Sequence, residues 1–231
     1  VFLDPARRDG RRTADGSRAH PERDPERWSP PLSFAVSLAE RTRVCVKVSP
    51  GFTAVPAGWC AMWSSMQREV LEACLLSWPA LPEPRRALII DSGRTLDGGG
   101  AAPVRIGAVG GWLHEPDPAI IAAGLIDDLV ATDGRWTRVD AHGPWLTSDD
   151  AIASDLVRTW RIAATLPAGL RELRRDLQAR GIGQVTVKTR GGRMDADSVR
   201  QRLRLSGDGA HAVLVMTQVA GEPAAYLVES A

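Results

Sequence analysis

Apolar runs broken by Pro, Gly and Asp set the frame of this chain. Residues 1–3, Val-Phe-Leu, close on Asp4-Pro5; residues 44–48, Val-Cys-Val-Lys-Val, close on Ser49-Pro50-Gly51. Continuous runs of this kind predict strands of a parallel sheet, buried on both faces. Between them, residues 32–40 have the apolar spacing of a short helix. Strand, helix, strand in that order is a βαβ unit. Residues 6–30 lack any period and read as a long polar loop, of the kind that is functional or disordered. Residues 59–66 and 71–78 predict an antiparallel pair at a sheet edge, and residues 86–91 a further strand. The stretch 93–103, with Gly98-Gly99-Gly100, reads as a linker.

A helix is expected from Asp117, with Pro118 in its first turn and Ile120, Ile121, Leu125 and Leu129 on one face. Short strands follow near Trp136 and Trp145. From residue 156 the pattern is clearest. A strand over 157–164 leads to a helix carrying Leu170, Leu173 and Leu177, which Gly181 is placed to cap. Then come a half-buried strand over 184–188, a helix capped by Asp195, and strands over 212–219 and 224–228. The order β-α-β-α-β-β predicts a small α+β domain with helices against one sheet.

Composition narrows the class. Of 231 residues, 44% are hydrophobic and 25% charged, as in folded globular chains. Disordered, collagen-like and disulfide-scaffold classes are excluded. No run approaches the roughly 18–20 apolar residues that cross a bilayer, and no secretory signal is expected from the opening residues. Cys45, Cys60 and Cys74 are odd in number and sit in apolar surroundings, which reads as reduced cysteines of a cytoplasmic protein. The net charge of +1 hides a segregation: residues 91–155 carry 11 acids and 4 bases, residues 156–231 carry 12 bases and 7 acids. All bases except Lys47 and Lys188 are Arg, as a GC-rich coding bias would also give.

Four places carry candidate chemistry. Asp4-Pro5 puts a carboxylate and a rigid turn at a strand end, where parallel sheets bind ligands; a turn-forming Asp-Pro is the plainer reading. Lys47 lies inside an apolar strand and needs a partner, or a route to water. The βαβ geometry offers Asp4 as that partner. Arg7 and Arg8 follow the strand, in a loop nearly neutralised by its own acids. Arg171, Arg174 and Arg175 on one helix, with Lys188, Arg190 and Arg193 around the Gly191-Gly192 turn, have the footprint of a phosphate-backbone contact. An ordinary solvated Arg face, or one that meets an acidic protein, gives the same pattern. Trp160 and Tyr226 are the only aromatics after residue 156, which favours backbone over base recognition. The four scattered histidines give no metal spacing, and no P-loop, G-x-G-x-x-G or G-x-S-x-G motif is present.

Residues 1–8, Val-Phe-Leu-Asp-Pro-Ala-Arg-Arg, resemble the fourth-strand motif of class I S-adenosylmethionine-dependent methyltransferases. Residues 173–205, with Arg180-Gly181-Ile182-Gly183-Gln184-Val185-Thr186-Val187-Lys188, are similar to the THUMP-like C-terminal domain of one bacterial methyltransferase group. Residues 46–51 and 113–121 match the same group. The resemblance implies an α/β chain: residues 1–92 the C-terminal part of a Rossmann-like methyltransferase domain, 93–155 an acidic connecting segment, 156–231 a THUMP-like domain. It implies S-adenosyl-L-methionine as cofactor, with Asp4, Pro5 and Lys47 at the reacting end and RNA, tRNA or rRNA, as partner. Amino-group methyltransferases carry Asp or Asn, Pro, Pro and an aromatic at this strand; Ala6 and Arg7 depart from that and leave the methylated atom open. The glycine-rich turn and ribose-binding acid of the fold would precede Val1, so this chain alone is expected to bind the cofactor weakly and to be inactive. The alternative is a non-catalytic RNA-binding module on a degenerate methyltransferase scaffold. The sequence implies no metal and no membrane, and leaves the oligomeric state open.

Overall fold

A computed structural model describes residues 1–6, 22–99, 101–189 and 195–230. The chain is mixed α/β and divides into two compact units: residues 1–100 with 118–125, and residues 101–117 with 126–231.

The first unit is built on a six-stranded sheet. Its strands are β1 (Phe2–Leu3), β2 (Cys45–Val48), β3 (Cys60–Met66), β4 (Glu69–Leu76), β5 (Arg85–Ile89) and β6 (Arg94–Gly98), in the order β1-β2-β4-β3-β5-β6. Helix α1 (Leu32–Ala39) joins β1 to β2, which run parallel with Phe2 beside Cys45 and Leu3 beside Val46. Helix α2 (Pro118–Ala123) also belongs to this unit and packs on β3 and β5. The strand, helix, strand expectation therefore holds.

Three expectations do not. β1 is not buried on both faces: Phe2 is 62% exposed, because among the described residues β2 is its only partner strand. The β3–β4 pair is interior, not at an edge. β4 takes β2 on its far side and β3 takes β5 as a parallel neighbour, which accounts for the complete burial of Trp63 and Leu75. Residues 94–98 are not linker but strand β6. Gly93, at φ +67°, makes the turn, and Arg86 grips Asp97 opposite it through two bonds of 2.6 and 2.8 Å. A glycine-rich composition masked a strand whose register is fixed by an ion pair.

The second unit has seven strands: β7 (Trp112–Pro116), β8 (Thr137–Arg138), β9 (Leu146–Ser148), β10 (Val157–Leu166), β11 (Ile182–Lys188), β12 (Ala210–Val219) and β13 (Glu222–Ser230). Their order is β11-β12-β13-β10-β7-β9-β8. Its helices are α3 (Ile126–Asp133), α4 (Leu170–Ala179) and α5 (Ala196–Leu203). The helix expected from Asp117 is two helices, because Gly124 at φ +71° ends α2. The β-α-β-α-β-β order is present, and β7, β9 and β8 extend its sheet beyond the small domain that the pattern outlined.

Alternation along β12 and β13 explains their continuous apolar runs. Leu214, Met216, Ala225 and Leu227 face a core closed by Leu173 and Leu177 of α4 and Val199 and Leu203 of α5. Their neighbours Val215, Tyr226 and Val228 face a second core with Trp145, Trp160 and Leu113. Both faces are buried along the middle of these two strands, so the period-2 signal vanishes there.

Candidate functional site

The parallel register of β1 and β2 fixes the first candidate. Both chains leave the sheet at the same end, so Asp4, one residue past β1, comes beside Lys47. The Lys47 ammonium lies 3.5 Å from Asp4 Oδ2 and 3.8 Å from Glu72 Oε2. Lys47 stands opposite Cys74 across the β2–β4 ladder, and Glu72, two residues along, shares its face. Val46 and Val48 point to the opposite, fully buried side. All three charged side chains are partly exposed, so the cluster adds little stability. It places two carboxylates around one cation where a parallel sheet opens to ligand. The carboxylates can accept a hydrogen bond from an amine or hydroxyl, or hold a cation.

Pro5 is buried, and Ala6 forms a two-bond bridge to Ser29 of 2.8 and 3.0 Å. That bridge anchors Trp28, whose ring packs on Phe52 at 5.3 Å between centroids. Phe52 follows β2 at the same end of the sheet and is half-buried. Glu72, Trp28 and Phe52 were not legible as site residues. Glu72 arrives by strand pairing and Trp28 by a bridge, and neither leaves a local motif. Cys45 and Cys74 are not candidate nucleophiles: burial pushes both thiols up, Cys74 to about 12. Arg7 and Arg8 lie outside the described residues, as do Arg190 and Arg193.

The Leu-His-Glu-Pro-Asp run of β7 is a second polar constellation, this one internal. His114 is fully buried. Its Nε2 lies 2.7 Å from Ser148 Oγ and its Nδ1 3.0 Å from Thr159 Oγ1. Burial pushes its pKa down to about 4. The unfolded chain, near 6.5, takes up a proton that the fold refuses. His114 thus supports stability fully above pH 6.5, and that support is lost as pH falls from 6.5 to 4. The expected loss is about 3 kcal/mol. Urea midpoints at pH 7 and pH 4.5 should differ by less in His114→Gln than in the native chain.

Lys188 also belongs to this interior. Its ammonium is 2.8 Å from Glu115 Oε2 and 5.1 Å from the centre of the Trp160 ring. Its charge is thus paired within the unit. Arg171 and Arg174, by contrast, share one groove of about 520 Å³ with Arg202 and Arg204. Arg175 lines a different depression, with Glu172, Asp176 and Arg180. Among the described residues no group of three His, Cys, Asp or Glu side chains could hold a metal ion, and no helix is long and apolar enough to cross a membrane.

Comparison with known proteins bears on both units. The THUMP domain-like family model matches residues 157–230, from the start of β10 to the end of β13. A crystal structure from Porphyromonas gingivalis W83, of a protein assigned as a methyltransferase, superposes with a TM-score of 0.67 at 18% identity. It covers 98% of this chain and 58% of its own, and shows the likeness of fold. Two curated proteins of Mycobacterium tuberculosis, from strains CDC 1551 / Oshkosh and ATCC 25618 / H37Rv, are each named an uncharacterized S-adenosylmethionine-dependent methyltransferase. Each is 30% identical over 228 residues, 96% of this chain. The chain spans 61% of the length of these relatives. It is thus similar along nearly all its residues to proteins named as methyltransferases, and in its C-terminal segment to the THUMP domain-like family.

Proposed function

We propose that this chain is part of an S-adenosylmethionine-dependent methyltransferase that acts on RNA, tRNA or rRNA, in the cytoplasm. Residues 1–92 are part of its class I catalytic domain, and the THUMP-like segment, 156–231, helps to bind the substrate. The observation that carries the reading is the Asp4–Lys47–Glu72 cluster at the open end of the parallel β1–β2 pair. The names of the relatives support the cofactor.

The described residues do not by themselves fit the whole cofactor. They offer acids and one cation at the strand ends, while the 231 residues contain no G-x-G-x-x-G turn to receive a nucleoside. No step is therefore derived through the cofactor. We place its nucleoside site in the part of the relatives' length that this chain does not span. What these residues do is local. Asp4 accepts a hydrogen bond from the substrate's amine or hydroxyl, orients its lone pair, and receives the proton that the group sheds on alkylation. Lys47 is a positioning residue, holding the Asp4 carboxylate from the neighbouring strand.

The test is methyl transfer from labelled S-adenosylmethionine to RNA by the whole protein. Asp4→Asn should lower kcat by about 100-fold or more. Lys47→Met should lower kcat with KM unchanged, and Lys47→Arg should recover most of it. An Asp4→Asn protein with native turnover would overturn the assignment. RNA binding without methyl transfer by the native protein would leave a binding module in place of an enzyme. Tight cofactor binding by this chain alone in calorimetry would overturn our placement of the nucleoside site.

A further inference from the structure

We propose that the groove between helices α4 and α5 is a phosphate-backbone site for RNA, held by Arg171, Arg174, Arg202 and Arg204. This rests on the RNA reading above and names the surface that carries it. Leu173 and Leu177 anchor α4 to the sheet, and Val199 and Leu203 anchor α5 beside it. The helix period then sends Arg171 and Arg174 to one flank of α4, where the C-terminal end of α5 brings Arg202 and Arg204. Four guanidiniums, one carboxylate (Glu172) and Leu170 line the groove.

Charge pairing separates this face from an indifferent Arg-rich surface. Several other arginines of the unit are matched. Arg180 meets Asp176, Arg200 meets Asp197 at 3.0 Å, and Arg161 meets Glu229 at 2.6 Å. In the groove, among the described residues, Arg171, Arg174 and Arg204 make no ion pair. Four guanidiniums around a single carboxylate are unfavourable in the free protein and favourable against a polyanion.

Backbone strain points the same way. Arg204 ends α5 at φ +45°, in the left-handed region. Where a helix ends in that region the residue is usually glycine, because a side chain there is strained. The Arg204 side chain is carried there at a conformational cost. An acidic protein would be expected to meet an apolar, aromatic centre at such an interface. This lining has no aromatic and one leucine, which suits a wet, charged nucleic-acid contact. Guanidinium forks fit phosphate oxygens two at a time. Without a stacking platform the groove reads the backbone, not the bases.

The experiment titrates a fluorescein-labelled RNA hairpin, and a scrambled one of equal length, onto the whole 231-residue chain at several salt concentrations. The triple variant R171Q/R174Q/R204Q should bind at least about tenfold more weakly, with the slope of log K against log salt shallower by about 2. Both hairpins should be affected alike. The charge-matched control R161Q/R180Q/R200Q, which removes three paired arginines, should bind as the native chain does. The single variant Arg204→Gly should bind more weakly yet melt about 2–4 °C higher, since strain is relieved. A general loss of fold cannot give that combination. Native-like RNA binding by the triple variant would overturn the groove and leave the RNA reading standing. No RNA binding by the native chain at low salt would overturn both.

Discussion

Gly183→Ala should abolish the native fold of the C-terminal unit, or cost it more than about 3 kcal/mol. A Cβ at Gly183 would lie 1.4 Å from the carbonyl oxygen of Asp208. The obstacle is backbone, so no rotamer can yield. The two segments are also tied there by hydrogen bonds, Gly207 N–H to Gly183 O at 3.1 Å and Ala210 N–H to Gly181 O at 2.9 Å. Gly209 approaches from the other side: a Cβ on it would meet Gly181 O at 2.4 Å. The start of β11 is thus packed main chain on main chain against the loop into β12, and the ladder shifts register between Ile182 and Gln184. Moving that loop breaks the parallel β11–β12 pairing, which covers Leu173 and Leu177. Gly181→Ala is the control. Nothing lies near its Cβ, and only its φ of +69° is unfavourable, which costs about 1–2 kcal/mol. Urea midpoints followed by far-UV circular dichroism should rank native, G181A and G183A in falling order. Equal midpoints for the two variants would mean that the close approach is soft.

Those two glycines show what a sequence can and cannot disclose. Gly181 was legible as a helix cap because the rule is local: an apolar 3.6-residue period ends and a glycine follows. Gly183 had no such mark, since its constraint comes from Asp208, which is distant in sequence. The candidate site divides along the same line. Asp4 and Lys47 could be brought together on paper because a parallel βαβ unit fixes which strand ends are neighbours, and the 3.5 Å separation agrees. Glu72 completes the cluster through the β2–β4 pairing, which composition does not announce. The arginine row of α4 was legible as a row. Which of its arginines face one groove depended on how the helices lie, and that separated Arg175 from Arg171 and Arg174 and added Arg202 and Arg204. Strand β6 was hidden for the converse reason: a glycine-rich stretch resembles a linker until the Arg86–Asp97 pair is seen across the hairpin.

Lys188→Met should destabilise the second unit by about 3–5 kcal/mol and leave the salt dependence of RNA binding unchanged. By sequence Lys188 continues a basic row, and a phosphate contact there would give the opposite result: a shallower salt slope with stability intact. The geometry decides between the two. The Lys188 side chain is 21% exposed and the Glu115 side chain 3%, with 2.8 Å between Nζ and Oε2. The Lys188 stem lies on β11, and its charge sits over the Trp160 ring, which also receives Arg158 at 4.2 Å. Cation–π contact adds about 1 kcal/mol to each, but the buried carboxylate matters more. A Glu115 that loses its lysine keeps the cost of leaving water and forfeits the attraction of that ammonium. Glu115→Gln in the Lys188→Met background removes that charge, so the double variant should be more stable than Lys188→Met alone. The resulting coupling energy, read from the four urea midpoints, should be several times the scatter found for separate sites. Additive losses would show that the two side chains are held apart in solution and that Lys188 is available to a ligand after all.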